Sequence, residues 1–403
     1  MIVTIFGANG NLSVRITRLL LQKPNVALSL SLVRGREDHV YPATPNLSVR
    51  EYARNISKIP EDIRNHQQYE AIQGEVTDKE KIRGAVRGAD VVVCQYQGFD
   101  DVVLDGQKRL VDICEEEKVD RFFSSAFVGD IRGMKVGQHE RMSLTLQIFQ
   151  YLKTKKLRSV HMMCGAFIET WLEYSGVIDL DTNTVSYWGT GDEIWDLTSY
   201  DDSAAYTAEV ILDKSADGYL KFAADRLSPR GLAEVYERVT GQRPKLVHHG
   251  ILDDLYKHIQ EQTKKHEGQS PWLYLPLFYT YYTANGAMLM KDPLDNSRYP
   301  HIKPQTVEEF IKTHDLTRPE NLQAPISKST RVEALGKCGT DISIVEVERI
   351  GCEHAQCITT VKDSRDSKFR DPGSLHTGLA SSLRRSTVDN ALSVPSQKSS
   401  SAL

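Results

Sequence analysis

The length, composition and charge of the chain exclude several classes of protein before any motif is considered. It has 403 residues, 40% hydrophobic and 26% charged, which is typical of a globular protein with a buried core. A formal net charge of −4 gives no reason to expect a nucleic-acid partner, and six scattered cysteines do not suggest a disulfide framework. No apolar run approaches the roughly 18 residues needed to cross a membrane. Because the first residues, MIVTIFGANG, also do not resemble a signal peptide, we expect a cytoplasmic protein without a membrane partner.

The chain opens with a predicted strand, a glycine turn and a helix. Ile2–Phe6 is a short apolar run, and residues 11–22 place leucines and isoleucines at helical spacing. Between them the spacing is Gly7-x-x-Gly10-x-x-Ser13, with serine where a third glycine often stands. Such a turn brings backbone amides close to a pyrophosphate, and the helix N-terminus favours the anion. A plain strand–helix turn is the alternative, but the strand before it and the amphipathic helix after it favour a dinucleotide site.

The second predicted strand indicates which dinucleotide would bind. Residues 26–33 form an apolar run, and the strand ends in Val-Arg-Gly-Arg at 33–36, with no acid before Glu37. A site for NAD places a carboxylate here, whereas a site for NADP places a cation for the 2′-phosphate. Arg34 and Arg36 therefore favour NADP(H), although two solvated surface arginines are the alternative interpretation.

Further strands and helices alternate along the chain. Residues 89–95, 121–125 and 159–164 are predicted strands, and residues 104–116 are a predicted helix. This alternation predicts an α/β fold with a doubly wound, mostly parallel sheet and helices on both faces.

The last part of the chain differs in composition from the rest. Of the 32 aromatic residues, 31 precede position 317, and only Phe369 follows. Such a segment buries too little apolar surface to offset its conformational entropy, so we expect 317–403 to be mostly disordered. Residues 341–350 alternate well enough for one short strand. Cys352, His354 and Cys357 are zinc-ligand types, but four suitably spaced ligands are lacking, and we expect no metal.

The order and spacing of eight segments resemble the NmrA-like and isoflavone-reductase-like family of atypical short-chain dehydrogenases/reductases, in the style of fungal members. The segments are GANGNL at 7–12, VRGR at 33–36, GEVTD at 74–78, GADVVV at 88–93, RFFSSAFVGD at 121–130, CGAFIETW at 164–171, TSYDDSAAYTAEVI at 198–211 and TVEEFIKTH at 306–314. The resemblance implies a Rossmann-type NADP(H)-binding domain over residues 1–164, to which residues 196–213 return. It also implies a smaller C-terminal substrate lobe over 165–316, followed by the tail.

The resemblance also implies a set of cofactor-binding residues. They are Gly7, Ala8, Asn9, Gly10, Asn11 and Leu12 around the pyrophosphate, Arg34 and Arg36 at the 2′-phosphate, Val76 and Asp78 on the adenine side, Gln95, Tyr96 and Gln97 near the nicotinamide ribose, and Gly165, Ala166 and Phe167 beneath the nicotinamide ring. Asp78 and Asp202 have a second interpretation, since each precedes a predicted helix and is a suitable cap.

At the catalytic position the sequence departs from the family. Reductases of this family carry a lysine on the helix after the RFFSSAF strand, 22 residues before the aromatic matched to Phe167, and that spacing falls on Thr145. A threonine hydroxyl is a poor proton source, so the catalytic group is unknown. The remaining candidates are His139, Glu140, Arg141 or a tyrosine of the substrate lobe.

Two further patterns have alternative interpretations. Tyr151 and Lys155 match the Tyr-x-x-x-Lys spacing of short-chain dehydrogenases, but they lie at the end of their helix, so we interpret the match as accidental. Residues 270–285 concentrate six aromatic side chains, which suit either the wall of an aromatic-substrate pocket or a core helix or dimer face.

Two functions from different classes follow from these observations. The first is an NADPH-dependent oxidoreductase that reduces a small aromatic or secondary-metabolite substrate by hydride transfer. The second is a non-catalytic NADP(H) sensor of the NmrA type that acts on a protein partner. The sequence does not disclose the substrate, and a homodimer or a regulatory partner stays open.

Overall fold

The computed structural model describes residues 1–8, 10–23, 47–98, 100–174 and 176–316, and all of them belong to one compact unit. The strands are β1 (Ile2–Phe6), β2 (Ser48–Ala53), β3 (Tyr69–Gln73), β4 (Val91–Cys94), β5 (Arg121–Phe123), β6 (Arg158–Met163), β7 (Ala166–Phe167), β8 (Ile178–Asp179), β9 (Thr184–Tyr187), β10 (Trp195–Thr198), β11 (Gly218–Lys221), β12 (Asp225–Leu227) and β13 (Lys245–His248). The α-helices are α1 (Asn11–Gln22), α2 (Glu61–Arg64), α3 (Lys79–Val86), α4 (Gln107–Glu116), α5 (Glu140–Leu152), α6 (Ile168–Tyr174), α7 (Tyr200–Leu212), α8 (Pro229–Thr240), α9 (Leu252–Lys265), α10 (Leu275–Ala284) and α11 (Val307–Thr313).

A seven-stranded parallel sheet organises the first part of the chain. Its order is β11-β6-β5-β4-β1-β2-β3, and every neighbouring pair runs parallel. The order reverses between β1 and β4, where an open α/β sheet forms a crevice at the carboxyl ends of its strands. The predicted Rossmann-type fold is therefore confirmed.

The main elements form where the hydrophobic pattern predicts them. Leu12, Ile16 and Leu20 lie on one face of α1 and are buried against the sheet, as a helical period requires. All four residues of β4 are buried, since helices cover both faces of a parallel sheet. The predicted helix 104–116 begins as a π-helical segment, Asp100–Gly106, and continues as α4.

The second strand of the sheet is not the one that the sequence predicted. Residues 26–33 lie outside the described residues, whereas β2 (Ser48–Ala53) pairs with β1 on one side and β4 pairs with it on the other. Both places beside β1 are thus occupied by described strands, and the strand predicted at 26–33 stays a prediction. The sequence did not predict β2 because its residues, SVREYA, include two charged side chains and do not form an apolar run. Val49 and Glu51 are nonetheless fully buried.

Two three-stranded sheets follow in the second part of the chain. One has the order β12-β10-β7 and the other β13-β9-β8. A hydrophobic cluster that includes Trp171, Leu197 and Phe310 joins α6, β10 and α11. None of the described helices is long and apolar enough to span a membrane. The predicted disordered tail and the cysteine–histidine segment at 352–357 lie outside the described residues.

Candidate functional site

The glycine turn after β1 has a backbone that only glycine adopts easily. Gly7 has a φ of +93°, and a Cβ at this position would lie 2.6 Å from the carbonyl oxygen of Gln95. Its N–H donates to the carbonyl of Tyr52 at 3.2 Å, and the N–H of Gly10 donates to the Gly7 carbonyl at 3.3 Å. The turn is therefore held against β4 on one side and β2 on the other.

The start of α1 leaves its first amides available. Gly10 is the N-cap residue and supplies no side-chain cap, so the first-turn N–H groups have no intrahelical acceptor. Ser13, at the position of the third glycine, is fully buried, and its hydroxyl donates to the Gly7 carbonyl at 3.0 Å. This bond explains why serine is suitable here, since the bond fixes the turn and leaves the amides at the helix N-terminus available to an anion.

Three predicted cofactor residues, Asn9, Arg34 and Arg36, lie outside the described residues. Another cation stands at the end of the strand beside β1. Arg54 follows β2 directly, is exposed, and comes two residues after Tyr52, whose carbonyl binds the Gly7 amide. Sequence reasoning missed Arg54 because it placed the second strand elsewhere.

Val76 and Asp78, predicted on the adenine side, follow β3. The carbonyl of Val76 accepts a hydrogen bond from Arg109 at 2.8 Å. A carboxylate oxygen of Asp78 accepts from the Lys81 N–H at 3.1 Å and thereby caps α3. The capping interpretation of Asp78 is thus seen directly. Asp202 lies in the first turn of α7 and accepts from the Ser199 hydroxyl at 2.7 Å.

Gln95, Tyr96 and Gln97 leave the carboxyl end of β4, as predicted. The side chain of Gln95 is buried, and its Nε2 has no hydrogen-bond partner among the described residues. Tyr96 instead packs inward, with its ring 6.2 Å from that of Phe6, while Gln97 is exposed. An unpartnered buried amide at a strand end is a feature that a bound ligand would satisfy.

Gly165, Ala166 and Phe167 connect β6 to the first small sheet. Gly165 has a φ of +69°, and a Cβ there would lie 2.1 Å from the carbonyl oxygen of Asp196. The ring of Phe167 lies 4.3 Å from that of Tyr200, between centroids. The three residues therefore lie at the same carboxyl edge of the sheet as the end of β4, as strand order requires.

The N-terminal half of α5 carries the residues nearest to the missing lysine. Thr145 is buried, and its hydroxyl accepts a hydrogen bond from Arg141, one turn earlier, at 2.9 Å. His139 is the N-cap residue; burial lowers its pKa to about 3, so the imidazole is neutral. Its Nε2 is buried without a partner among the described residues.

The aromatic segment predicted over 270–285 lies across this end of α5. Its helix, α10, brings the ring of Tyr279 to 4.7 Å from His139. Tyr282 donates to the Gln138 carbonyl at 2.6 Å, and Tyr274 donates to the Glu140 carboxylate at 3.1 Å. The segment thus contributes both to a hydrophobic cluster and to the cover of the α5 N-terminus.

Tyr151 and Lys155 have a structural role. The hydroxyl of Tyr151 donates to Asp112 at 2.6 Å, and the ammonium of Lys155 lies 2.6 Å from the same carboxylate. These contacts join the last turn of α5 to α4, far along the helix from the strand ends. The interpretation of the Tyr-x-x-x-Lys spacing as accidental fits this placement.

Comparison with known proteins agrees with this architecture. The model of the NmrA-like family matches residues 2–311. An isoflavone reductase of Glycine max is 22% identical over 259 residues, which cover 60% of this chain and 77% of the relative. Among solved structures, an isoflavone reductase has a TM-score of 0.61 at 16% identity and covers 77% of this chain and 98% of its own.

Two structures with bound cofactor are similar to the same part of the chain. The binary complex of leucoanthocyanidin reductase with NADPH from Vitis vinifera has a TM-score of 0.60 at 17% identity, covering 77% of this chain and 98% of that one. AtPrR2 with NADP⁺ and (+)pinoresinol has a TM-score of 0.59 at 19% identity, covering 77% and 97%.

The sheet order and the glycine turn at its switch point define a protein of the Rossmann-type class. Within this class, the chain belongs to the NmrA-like family.

Proposed function

We propose that this protein is an NADPH-dependent reductase of a small aromatic substrate. The observation that carries the proposal is the turn at Gly7 and Gly10, which holds the open amides of α1 at the switch point of the parallel sheet. A pyrophosphate binds favourably at such a helix N-terminus. The similarity to reductases whose structures contain NADPH or NADP⁺ supports the choice of cofactor.

Arg54 is our candidate for the 2′-phosphate of NADPH. In Rossmann-type sites this group lies at the end of the strand next to β1, and Arg54 follows β2 there. Its guanidinium is exposed and makes no bond to the described residues, so its planar donors are available to a phosphate. Arg34 and Arg36 remain the alternative drawn from the sequence.

The bound nicotinamide would supply a hydride to the substrate. Gln95 Nε2 would orient the cofactor at the end of β4, and Gly165, Ala166 and Phe167 would line the nicotinamide side of the crevice. Thr145 already accepts a hydrogen bond from Arg141 and replaces a lysine, so a substrate-lobe hydroxyl or water would supply the proton. The aromatic rings of α10 suit an aromatic substrate.

Calorimetric titration of the full chain with NADPH, NADP⁺, NADH and NAD⁺ tests this proposal. We expect tight binding of the two phosphorylated nucleotides only, and in Arg54→Ala a loss of at least tenfold in NADPH affinity with little change for NADH. Arg34→Ala is the matched control and should leave both affinities unchanged. A loss in Arg34→Ala instead would return the 2′-phosphate to residues 33–36, and binding of none of the four nucleotides would refute the cofactor site.

A non-catalytic NADP(H) sensor is the second candidate. The observation in its favour is the catalytic position itself, where Thr145, bonded to Arg141, replaces the lysine of the reductases. A panel of aromatic carbonyl, enone and imine compounds, followed by nicotinamide absorbance, separates the two candidates. Turnover of any of them supports the reductase; tight nucleotide binding that discriminates NADPH from NADP⁺, with no turnover, supports the sensor.

A further inference from the structure

Arg141 is a buried cation that forms no ion pair with a carboxylate of the described residues. Its side chain is 5% exposed, and its Nη1 donates to the Thr145 hydroxyl at 2.9 Å. That is the only hydrogen bond its guanidinium makes to the described residues, and no carboxylate of those residues forms an ion pair with it. A buried charge without a partner is costly, so an arginine in this state favours the binding of an anion.

The position of Arg141 on its helix increases this cost. It is the second residue of α5, and the N-terminus of a helix carries a partial positive charge. Burial lowers the pKa of Arg141, an effect that nearby Tyr279 and Cys94 partly offset, and the group stays cationic at neutral pH because its ordinary pKa is so high. Helix and side chain therefore contribute positive potential to the same small volume.

The free edge of the guanidinium has the geometry of a carboxylate site. Nη1 is directed to Thr145, which leaves Nε and Nη2 without bonds to described residues. Nε2 of His139 is fully enclosed by the protein, whereas Nε and Nη2 of Arg141 are not. Nε and Nη2 are the two parallel donors through which arginine binds a carboxylate side-on.

The surroundings of Arg141 belong to the substrate side of the crevice. α5 follows β5, which is separated from β1 and its glycine turn by β4. Arg141 interacts electrostatically with His139, with Tyr279 of α10 and with Cys94 at the end of β4. The helix α10 covers the start of α5, where the ring of Tyr279 lies 4.7 Å from that of His139. An anion bound here would therefore lie between the end of β4 and the aromatic rings of α10, away from the pyrophosphate.

From this geometry we propose that Arg141, held by Thr145, is a substrate-binding residue that takes the carboxylate of an aromatic acid. The proposal rests on the proposed function for the location of the cofactor, and it narrows the substrate to aromatic compounds that carry a carboxylate. A phosphate of the cofactor could bind to the same donors of Arg141, and the experiment distinguishes a substrate carboxylate from a cofactor phosphate.

The test compares trans-cinnamate with its neutral analogue cinnamamide on the full chain, by calorimetry, with and without saturating NADP⁺. We expect the wild-type protein to bind cinnamate at least tenfold more tightly than cinnamamide. In Arg141→Met this ratio should fall to about 1 while the NADPH affinity changes less than threefold. Arg141→Lys should keep part of the preference, because a point charge remains without the side-on fork.

The control is Lys153→Met, which removes an exposed cation from the C-terminal end of the same helix and should leave the ratio unchanged. Equal binding of the two compounds by the wild type, or a preference that persists in Arg141→Met, overturns the proposal. A tenfold loss of NADPH affinity in Arg141→Met, with the cinnamate preference intact, assigns Arg141 to the cofactor instead. Cinnamate preference in a protein that binds no nucleotide would refute the proposed function and leave the carboxylate site standing.

Discussion

Two arginines are buried in the part of the chain that the structure describes, and the protein accommodates them in opposite ways. Arg121, at the start of β5, donates to the carbonyls of Val210, Ile211 and Asp213 at distances of 3.1, 2.7 and 2.7 Å. These carbonyls form the C-terminal end of α7, where the helix dipole favours a cation. Arg141 lies at the N-terminal end of α5 and, among the described residues, donates only to the hydroxyl of Thr145.

The difference separates residues that maintain the fold from residues that are available to a ligand. Arg121 donates to three carbonyls at one helix end, and its Nε lies 3.7 Å from the Asp120 carboxylate, so its side chain closes that helix end. Arg141 occupies a place that the fold alone does not explain. The glycine turn shows the same division, since Gly7 is required by contacts within the protein whereas Gly10 has room around it.

The largest expected effect belongs to Arg121→Met. It would leave the buried carbonyls of Val210 and Ile211 without donors, whereas the Asp213 carbonyl keeps the Ala216 N–H. Each unsatisfied group costs about 1–3 kcal/mol, so we expect the free energy of unfolding to fall by about 3 kcal/mol. Urea denaturation followed by circular dichroism measures this change. A loss below about 1 kcal/mol would show that Arg121 does not have the structural role described.

The glycine turn offers a matched pair of substitutions. Gly7→Ala places a Cβ 2.6 Å from the Gln95 carbonyl at a φ of +93°, and the strain should lower the free energy of unfolding by roughly 2 kcal/mol. In Gly10→Ala the nearest atom would be 3.6 Å away, so stability should change by less than about 1 kcal/mol. We expect NADPH binding to weaken at least tenfold in Gly10→Ala, because the Cβ would face the pyrophosphate. Unchanged NADPH affinity in this variant would contradict the cradle.

A smaller effect is expected from Glu51, a buried acid on β2. Thr17 and Tyr69 donate to its carboxylate at 2.5 and 2.6 Å, and burial raises its pKa to about 7. The folded protein therefore binds a proton more tightly than the unfolded chain, and between about pH 4.5 and 7 its stability should fall as pH rises. In Glu51→Gln the loss of unfolding free energy between pH 5 and 8 should be smaller than in the wild type by on the order of 1–2 kcal/mol. Parallel pH profiles of the two proteins would disprove the assignment.

The sequence predicts those parts of the fold in which local pattern and burial agree. β1, α1 and β4 were predicted because their apolar residues follow the period of the element. β2 was missed because its buried Glu51 is stabilised by Thr17 and Tyr69, partners that are distant in sequence. No local pattern reports such partners, and a more apolar run at 26–33 was preferred in its place.

The candidate site divides in the same way. The glycine turn was predicted because its residues are adjacent in the sequence. Ser13, which stands where a third glycine often stands, donates to the Gly7 carbonyl and so belongs to the turn. Arg54 was missed with its strand. Arg141 was named only for its nearness to Thr145, since its lack of a carboxylate partner depends on helices that meet only in the folded chain. A search for oppositely charged pairs four residues apart on a helix could not have identified Arg141, because Thr145 is uncharged.

The unfolding free energy of Arg141→Met tests the contrast between the two arginines most directly. If Arg141 is kept for a ligand, its replacement by an apolar side chain of similar length removes an unbalanced buried charge, and the ligand-free variant should be as stable as the wild type or more stable by about 1–2 kcal/mol. Millimolar trans-cinnamate should then stabilise the wild type but not the variant. A loss of stability comparable to that of Arg121→Met, without ligand, would contradict the account and make Arg141 a second structural arginine.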